Sequence, residues 1–151
     1  MTTVREIMTT DVITLSPDTE IVKATQMLLD NRINGAPVVD ESGRVLGILC
    51  QSDLIAQQKK LPLPSVFAFL ESLFPLASMK KIEREVRKIA ALTAADAMTP
   101  EPVTVSPDTE LETVAALMVD SNFHTLPVVE NKRLVGVVGK EDVLRTLIRS
   151  S

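Results

Sequence analysis

The stretch MTTDVITLSPDTE at residues 8–20 returns as MTPEPVTVSPDTE at residues 98–110. Working outward, APVVD at 36–40 returns as LPVVE at 126–130, at the same offset of 90. Between 8–39 and 98–129, twelve of 32 positions are identical: Met8, Thr9, Thr14, Ser16, Pro17, Asp18, Thr19, Glu20, Asp30, Pro37, Val38 and Val39 with their partners. Average residue usage would give about two by chance. Beyond this the offset falls to 89, so that GILCQSD at 47–53 faces GVVGKED at 136–142. The slip is one residue removed from a turn, DESGR against ENKR, and turns tolerate such changes. Self-similarity at a fixed offset means two copies of one supersecondary unit.

Each copy reads alike. A short turn comes first (REIM, AADAM), then a small strand, Val12–Leu15 or Val103–Val105. SPDTE next starts a helix, with Asp18 or Thr19 placed to cap its free amides and Glu20 suited to its positive end. Thr109 and Glu112 fit a capping box in the second copy. Ile21, Ala24 and Leu28 in one copy, and Leu111, Val114, Ala115 and Met118 in the other, recur at helical spacing. APVVD and RVLGIL then make a hairpin across Glu41, Ser42 and Gly43. A last helix starts near Ser52 and near Lys140. The expectation is a mixed α/β (α+β) chain of two β-α-β-β-α units. Units of ~50 residues bury too little surface to stand alone, so the two should pack about a pseudo-two-fold axis.

The boundaries expected are 1–55 for the first repeat, 56–92 for a helical insertion or linker, and 93–151 for the second repeat. The insertion holds Phe67, Phe69 and Phe74. Pro62 and Pro64 precede one helical stretch, which Pro75 ends, and Ile82, Val86, Ile89 and Ala90 line a second. Charge divides unevenly. Residues 1–55 carry 4 basic and 8 acidic groups, 56–95 carry 7 and 3, and 96–151 carry 5 and 9.

Composition excludes several classes. With 45% apolar and 24% charged residues, the chain is globular rather than disordered. No apolar run approaches the ~18 residues that cross a bilayer, and MTTVREIMTT carries no signal-peptide core. A net charge of -4 and the absence of Trp and Tyr argue against nucleic-acid partners. One Cys and one His cannot build the usual structural zinc site, so no metal is expected. A single cysteine, Cys50, suits a cytoplasmic protein.

The order IMTTDVITLSPDT, NGAPVVDESGRVLGILCQSDL, then AMTPEPVTVSPDT, HTLPVVENKRLVGVVGKEDVL resembles a tandem pair of CBS (cystathionine-beta-synthase) domains, a Bateman module. The resemblance covers nearly all of the chain outside the insertion and implies a stand-alone regulatory module, not an enzyme. Modules of this family bind adenosine nucleotides or related adenosyl ligands between the repeats and commonly pair into homodimers. The ligand implied is AMP, ADP, ATP or a relative, with no obligatory cofactor.

The family's nucleotide motif closes on an aspartate at the start of the last helix. Carried onto this sequence, it puts Asp53 and Asp142 on ribose. Cys50 and Ser52 in the first copy, with Gly139 and Lys140 in the second, lie on the phosphate side. The positions matching the adenine side are Met8, Ile13, Ile33, Asn34 and Gly35 in the first copy, and Met98, Val103, Phe123, His124 and Thr125 in the second. Cys50 stands where the motif has Ser or Thr, and Gly139 and Glu141 replace both hydroxyl residues of the second copy. The first copy is thus expected to be the better nucleoside site.

Each residue also has a structural explanation. Asp53 and Asp142 are acids that any helix start favours. Cys50 reads as a half-buried strand-end residue, since nothing beside it in sequence would lower its pKa. Met8 and Met98 suit core or cleft lining. The alternative function is an adaptor or dimerisation module that binds no nucleotide and docks a regulated protein partner through 56–92.

Overall fold

The computed structural model describes residues 2–60 and 92–149, with side chains omitted at 57–60 and 149. The expected insertion helices, with Phe67, Phe69 and Phe74, lie outside the described residues. The first repeat comprises α1 (Val4–Ile7), α2 (Ile21–Asp30), β1 (Gly35–Val39), β2 (Val45–Cys50) and α3 (Gln51–Lys60). The second comprises α4 (Ala94–Ala97), β3 (Thr99–Pro100), α5 (Leu111–Asp120), β4 (Thr125–Glu130), β5 (Arg133–Gly139) and α6 (Lys140–Arg149).

β1 and β2 form an antiparallel hairpin, as do β4 and β5. Their turns explain the one-residue slip. In the first, Asp40 Oδ1 accepts from the Ser42 amide at 2.9 Å, the Ser42 hydroxyl at 2.7 Å and the Arg44 amide at 3.0 Å. Gly43 supplies the left-handed residue at φ 87°. In the second, Asn131 and Lys132 hold φ of 53° and 67°. Two consecutive left-handed residues make the tight two-residue hairpin turn that matches strand twist.

The repeats exchange their leading segments. Val4 and Ile7 of α1 lie in the second repeat's core, with Val105, Val114, Leu126, Val128 and Val138. Ala94 and Ala97 of α4 lie in the first repeat's core, with Leu15, Ile21, Ala24, Leu28, Ala36, Val38 and Leu49. Backbone hydrogen bonds repeat the exchange symmetrically. The Val4 amide donates to Thr109 O at 2.8 Å, and the Ala94 amide to Thr19 O at 2.7 Å. The Leu111 amide donates to Thr2 O, and the Ile21 amide to Leu92 O, each at 3.0 Å. Each repeat thus completes its partner's core, the pseudo-two-fold packing expected of units too small to fold apart.

The exchange also accounts for two departures from the sequence reading. Val12–Leu15 and Val103–Val105 are not strands: Leu15 and Val105 each make one parallel bridge, to Val38 and Val128. The chain has just left the other sheet, where Thr9 bridges Val137 and Thr99 pairs Ile48. A segment that changes sheets within a few residues cannot build a ladder in either. Nor do Asp18, Thr19 or a Thr109–Glu112 box cap the following helices. The N-caps are Glu20 and Glu110, without side-chain cap bonds. The first helical amide of each is taken by the other repeat's leading segment, and Thr19 and Thr109 instead accept from the Ser16 and Ser106 amides within the preceding turn. Capping-box contacts occur at α1 and α4, where Glu6 accepts from the Thr3 amide and Asp96 from the Thr93 amide, each at 2.8 Å.

Gly47 and Gly136 make the crossover possible. A Cβ on Gly47 would lie 2.7 Å from Thr99 O, and one on Gly136 would lie 2.9 Å from Thr9 O. The incoming leader crosses so close to β2 and β5 that no side chain fits beneath it.

Candidate functional site

α3 and α6 begin directly at the ends of β2 and β5, without a connecting loop. The third residue of each helix is the motif aspartate, and each carboxylate reaches back to the residue before its helix. Asp53 Oδ2 accepts from the Cys50 amide, and Asp142 Oδ2 from the Gly139 amide, both at 2.8 Å. This is half of a capping box, in which a third-position acid satisfies the N-cap amide. The carboxylates are thereby fixed at the mouths of two clefts.

Both clefts are built across the repeats. One, of about 250 Å³, brings Asp142, Gly139 and Lys140 of the second repeat against Ile13, Ile33, Asn34 and Gly35 of the first. The other, of about 540 Å³, brings Cys50, Ser52 and Asp53 of the first against Val103, Phe123, His124 and Thr125 of the second. The grouping expected within each copy is therefore corrected to a crossed one, for the same reason that the leaders cross. Asn34, His124, Thr125 and Lys140 line both clefts and form the wall between them. Backbone bonds knit that wall: the Gln51 amide donates to Asn34 O at 2.9 Å, and the Lys140 amide to His124 O at 3.0 Å.

Met8 and Met98 are among the lining residues of neither cleft. Met98 packs against Gly47 and Met8 against Gly136, and both border the cores.

Several residues at the clefts went unassigned in the sequence. The Thr99 hydroxyl donates to Asp53 Oδ1 at 3.0 Å, and the Thr9 hydroxyl to Asp142 Oδ1 at 3.2 Å. Their identity at matching repeat positions was the available signal. Arg145 Nη1 lies 2.7 Å from Asp142 Oδ1, and its Nη2 lies 3.7 Å from Glu141 Oε2. The i,i+3 and i,i+4 spacing on a helix foreshadows both contacts. Arg145 also lines the smaller cleft together with Arg32. Asp142 is buried and accepts from Gly139, Thr9 and Arg145, whereas half-buried Asp53 accepts one bond on each oxygen, from Cys50 and Thr99.

Burial first, and then the Asp53 carboxylate, push the Cys50 thiol up to about 11. At neutral pH it is protonated and a poor nucleophile. Among the described residues, no group of three His, Cys, Asp or Glu is placed to hold a metal ion, and no helix is long and apolar enough to cross a membrane.

Two small repeats that trade leading segments and enclose a cleft on each side of a shared wall define a paired-repeat module. The CBS domain model matches residues 4–60 and 94–149, and the chain belongs to the CBS-domain family, as a tandem pair. The chloroplastic CBS domain-containing protein CBSX1 of Arabidopsis thaliana is 32% identical over 155 residues, spanning 97% of this chain. The match covers 64% of CBSX1's own length. The crystal structure of Arabidopsis CBSX2 in complex with AMP has a TM-score of 0.76 at 25% identity, over 99% of this chain and 98% of that one. The CBS domain pair of protein MJ0100, in complex with 5′-methylthioadenosine and S-adenosyl-L-methionine, has a TM-score of 0.69 at 28% identity, over 97% and 99%.

Proposed function

We propose that this chain is a non-catalytic regulatory module that binds an adenosine nucleotide or related adenosyl ligand between its repeats and passes occupancy to a partner protein. One observation carries the reading: each cleft sets an aspartate at a helix start in one repeat against an apolar wall from the other. Asp53 or Asp142 accepts the ribose hydroxyls. Ile13 and Ile33 in one cleft, and Val103 and Phe123 in the other, cover the adenine faces. At the start of α6, Lys140 meets the 5′ substituent in the Asp142 cleft, where the helix dipole favours an anion, and Ser52 meets it in the Asp53 cleft. The AMP held by CBSX2, and the adenosyl ligands held by the MJ0100 pair, support this class of ligand.

Transmission follows from the construction. A ligand that touches both repeats stabilises their closed pairing, and the exchanged leaders link each cleft to the opposite core. The working form is a homodimer: Ile55 of α3 and Leu144 of α6 occupy equivalent repeat positions and are 70% and 56% exposed. A compartment that keeps thiols reduced, such as the cytoplasm, fits the free Cys50.

The test is thermal unfolding with a panel of nucleotides at millimolar concentration. A ligand that binds only the folded state raises the melting temperature by mass action. Adenosine compounds should raise it, and guanosine and pyrimidine nucleotides should do so less. Flat curves across the panel, with no small molecule released from the purified protein on denaturation, would remove the proposal.

A further inference from the structure

The two clefts differ in charge. Among the described residues, the Asp142 cleft is lined by Arg32, Lys140 and Arg145 on the basic side. Its acids are Asp142 and Glu141, both in contact with Arg145, and the exposed Asp11. Acids and bases balance there. Among the described residues, the Asp53 cleft sets the carboxylates of Asp53 and Glu101 against one basic side chain, Lys140, which the other cleft shares.

A 5′-phosphate brings about two negative charges, and guanidinium groups match its geometry with paired donors. That chemistry is present at the Asp142 cleft and, among the described residues, missing at the Asp53 cleft. A phosphate bound beside Arg32 and Arg145 also draws on Lys140. Among the described residues the Asp53 cleft is then left with its two acids, and a second phosphate there would meet like charge. The Asp53 cleft is also the roomier, about 540 Å³ against about 250 Å³, and Ile48, Ile55, Val103 and Phe123 give it apolar walls.

Building on the adenosyl-binding reading, we infer that the clefts sort their ligands by charge. The Asp142 cleft takes a phosphorylated nucleotide. The Asp53 cleft takes a 5′-thioadenosyl compound without phosphate, neutral as a thioether or cationic as a sulfonium. The ribose is held by Asp53, and the 5′ sulfur and its substituents face Glu101 and the apolar wall. The two ligands then bind together, and the module reads both at once.

Calorimetry on the full chain tests this with AMP, 5′-methylthioadenosine and S-adenosylmethionine as probes. AMP should fill one site per chain. Each thioadenosyl probe should bind AMP-saturated protein with affinity within about threefold of that for free protein. Glu101→Lys should weaken S-adenosylmethionine by about three- to ten-fold, the scale of a partly screened charge contact, and bring AMP stoichiometry toward two. Glu101→Gln, which removes the charge without reversing it, should lie between. Glu101 is exposed, so neither change disturbs a core. Wild-type AMP filling both clefts equally, AMP displacing the thioadenosyl probes, or AMP binding without them would each overturn charge sorting and leave the adenosyl-binding reading intact. If no probe binds, both fall.

Discussion

The Thr99 hydroxyl donates to Asp53 Oδ1 at 3.0 Å, so the first repeat's motif carboxylate is held by the second repeat's leading segment. The Thr9 hydroxyl repeats the contact with Asp142 at 3.2 Å. A ribose that engages either aspartate shares it with a threonine from the crossing strand. Cleft and crossover are therefore one structure. A change at the cleft is felt where the leader leaves one sheet for the other.

Thr99→Val should accordingly reduce both stability and ligand affinity. Valine keeps the shape and removes the donor, and an ordinary hydrogen bond contributes about 0.5–1.5 kcal/mol. Urea unfolding should show a loss of that order, with an unchanged slope. Binding at the Asp53 cleft should also weaken, because the carboxylate is no longer held in position. A variant as stable as wild type with undiminished binding would show the contact to be idle.

The crossover itself predicts an order among glycine substitutions. A Cβ on Gly47 or Gly136 meets backbone oxygen at 2.7 or 2.9 Å, whereas one on Gly139 finds its nearest neighbour at 3.7 Å. Gly47→Ala and Gly136→Ala should each cost about 1–3 kcal/mol, the range for overpacking against atoms that cannot retreat. Gly139→Ala should cost less, a few tenths up to about 1 kcal/mol, from a poorer N-cap. Chemical denaturation of the three variants checks the order. A Gly139 variant less stable than the other two would contradict it.

The repeat in the sequence disclosed the fold because identical residues at a fixed offset must sit in equivalent surroundings. The hairpins, the last helices and the buried face of Ile21, Ala24 and Leu28 all followed from local pattern. The exchange of leaders did not. Val4 and Ile7 look the same in sequence whichever core they enter, and only tertiary packing decides between the two. For the same reason the expected site positions, most of which line the two clefts, were grouped by copy rather than across copies. The helical spacing of Arg145 from Asp142 was legible, but its place beside a cleft was not, because that depends on the first repeat packing against α6.

Cys50 gives a pH-dependent prediction. Its folded thiol titrates at about 11 against a reference of 9.0. Between those values the folded state holds a proton that the unfolded state has lost, so stability should be flat below about pH 8 and fall as pH rises through that window. The thiolate is the reactive form. At pH 8 native protein should be alkylated by iodoacetamide about a hundred-fold more slowly than urea-unfolded protein, two pKa units of difference in thiolate fraction. Equal rates in the two states would mean that neither burial nor Asp53 protects the thiol.

The exposed apolar positions on the last helices allow the proposed dimer to be tested. Ile55 and Leu144 are related by the repeat, as their helices are, so the pseudo-two-fold axis carries one into the other. A pairing surface shared by both helices is the economical reason for a 70%-exposed isoleucine and a 56%-exposed leucine at matching places. A two-fold dimer uses the same patch on both partners, so each substitution acts twice in the assembly. Burying a side chain of this size contributes about 1.5–3 kcal/mol. Leu144→Glu should therefore weaken self-association by at least about tenfold, and Ile55→Glu with Leu144→Glu should give a monomer at tens of micromolar. Because both residues face outward, the melting temperature extrapolated to low protein concentration should stay near that of wild type. Sedimentation velocity across a concentration series reads the outcome. A wild-type chain that remains monomeric throughout would leave these faces without the role assigned to them.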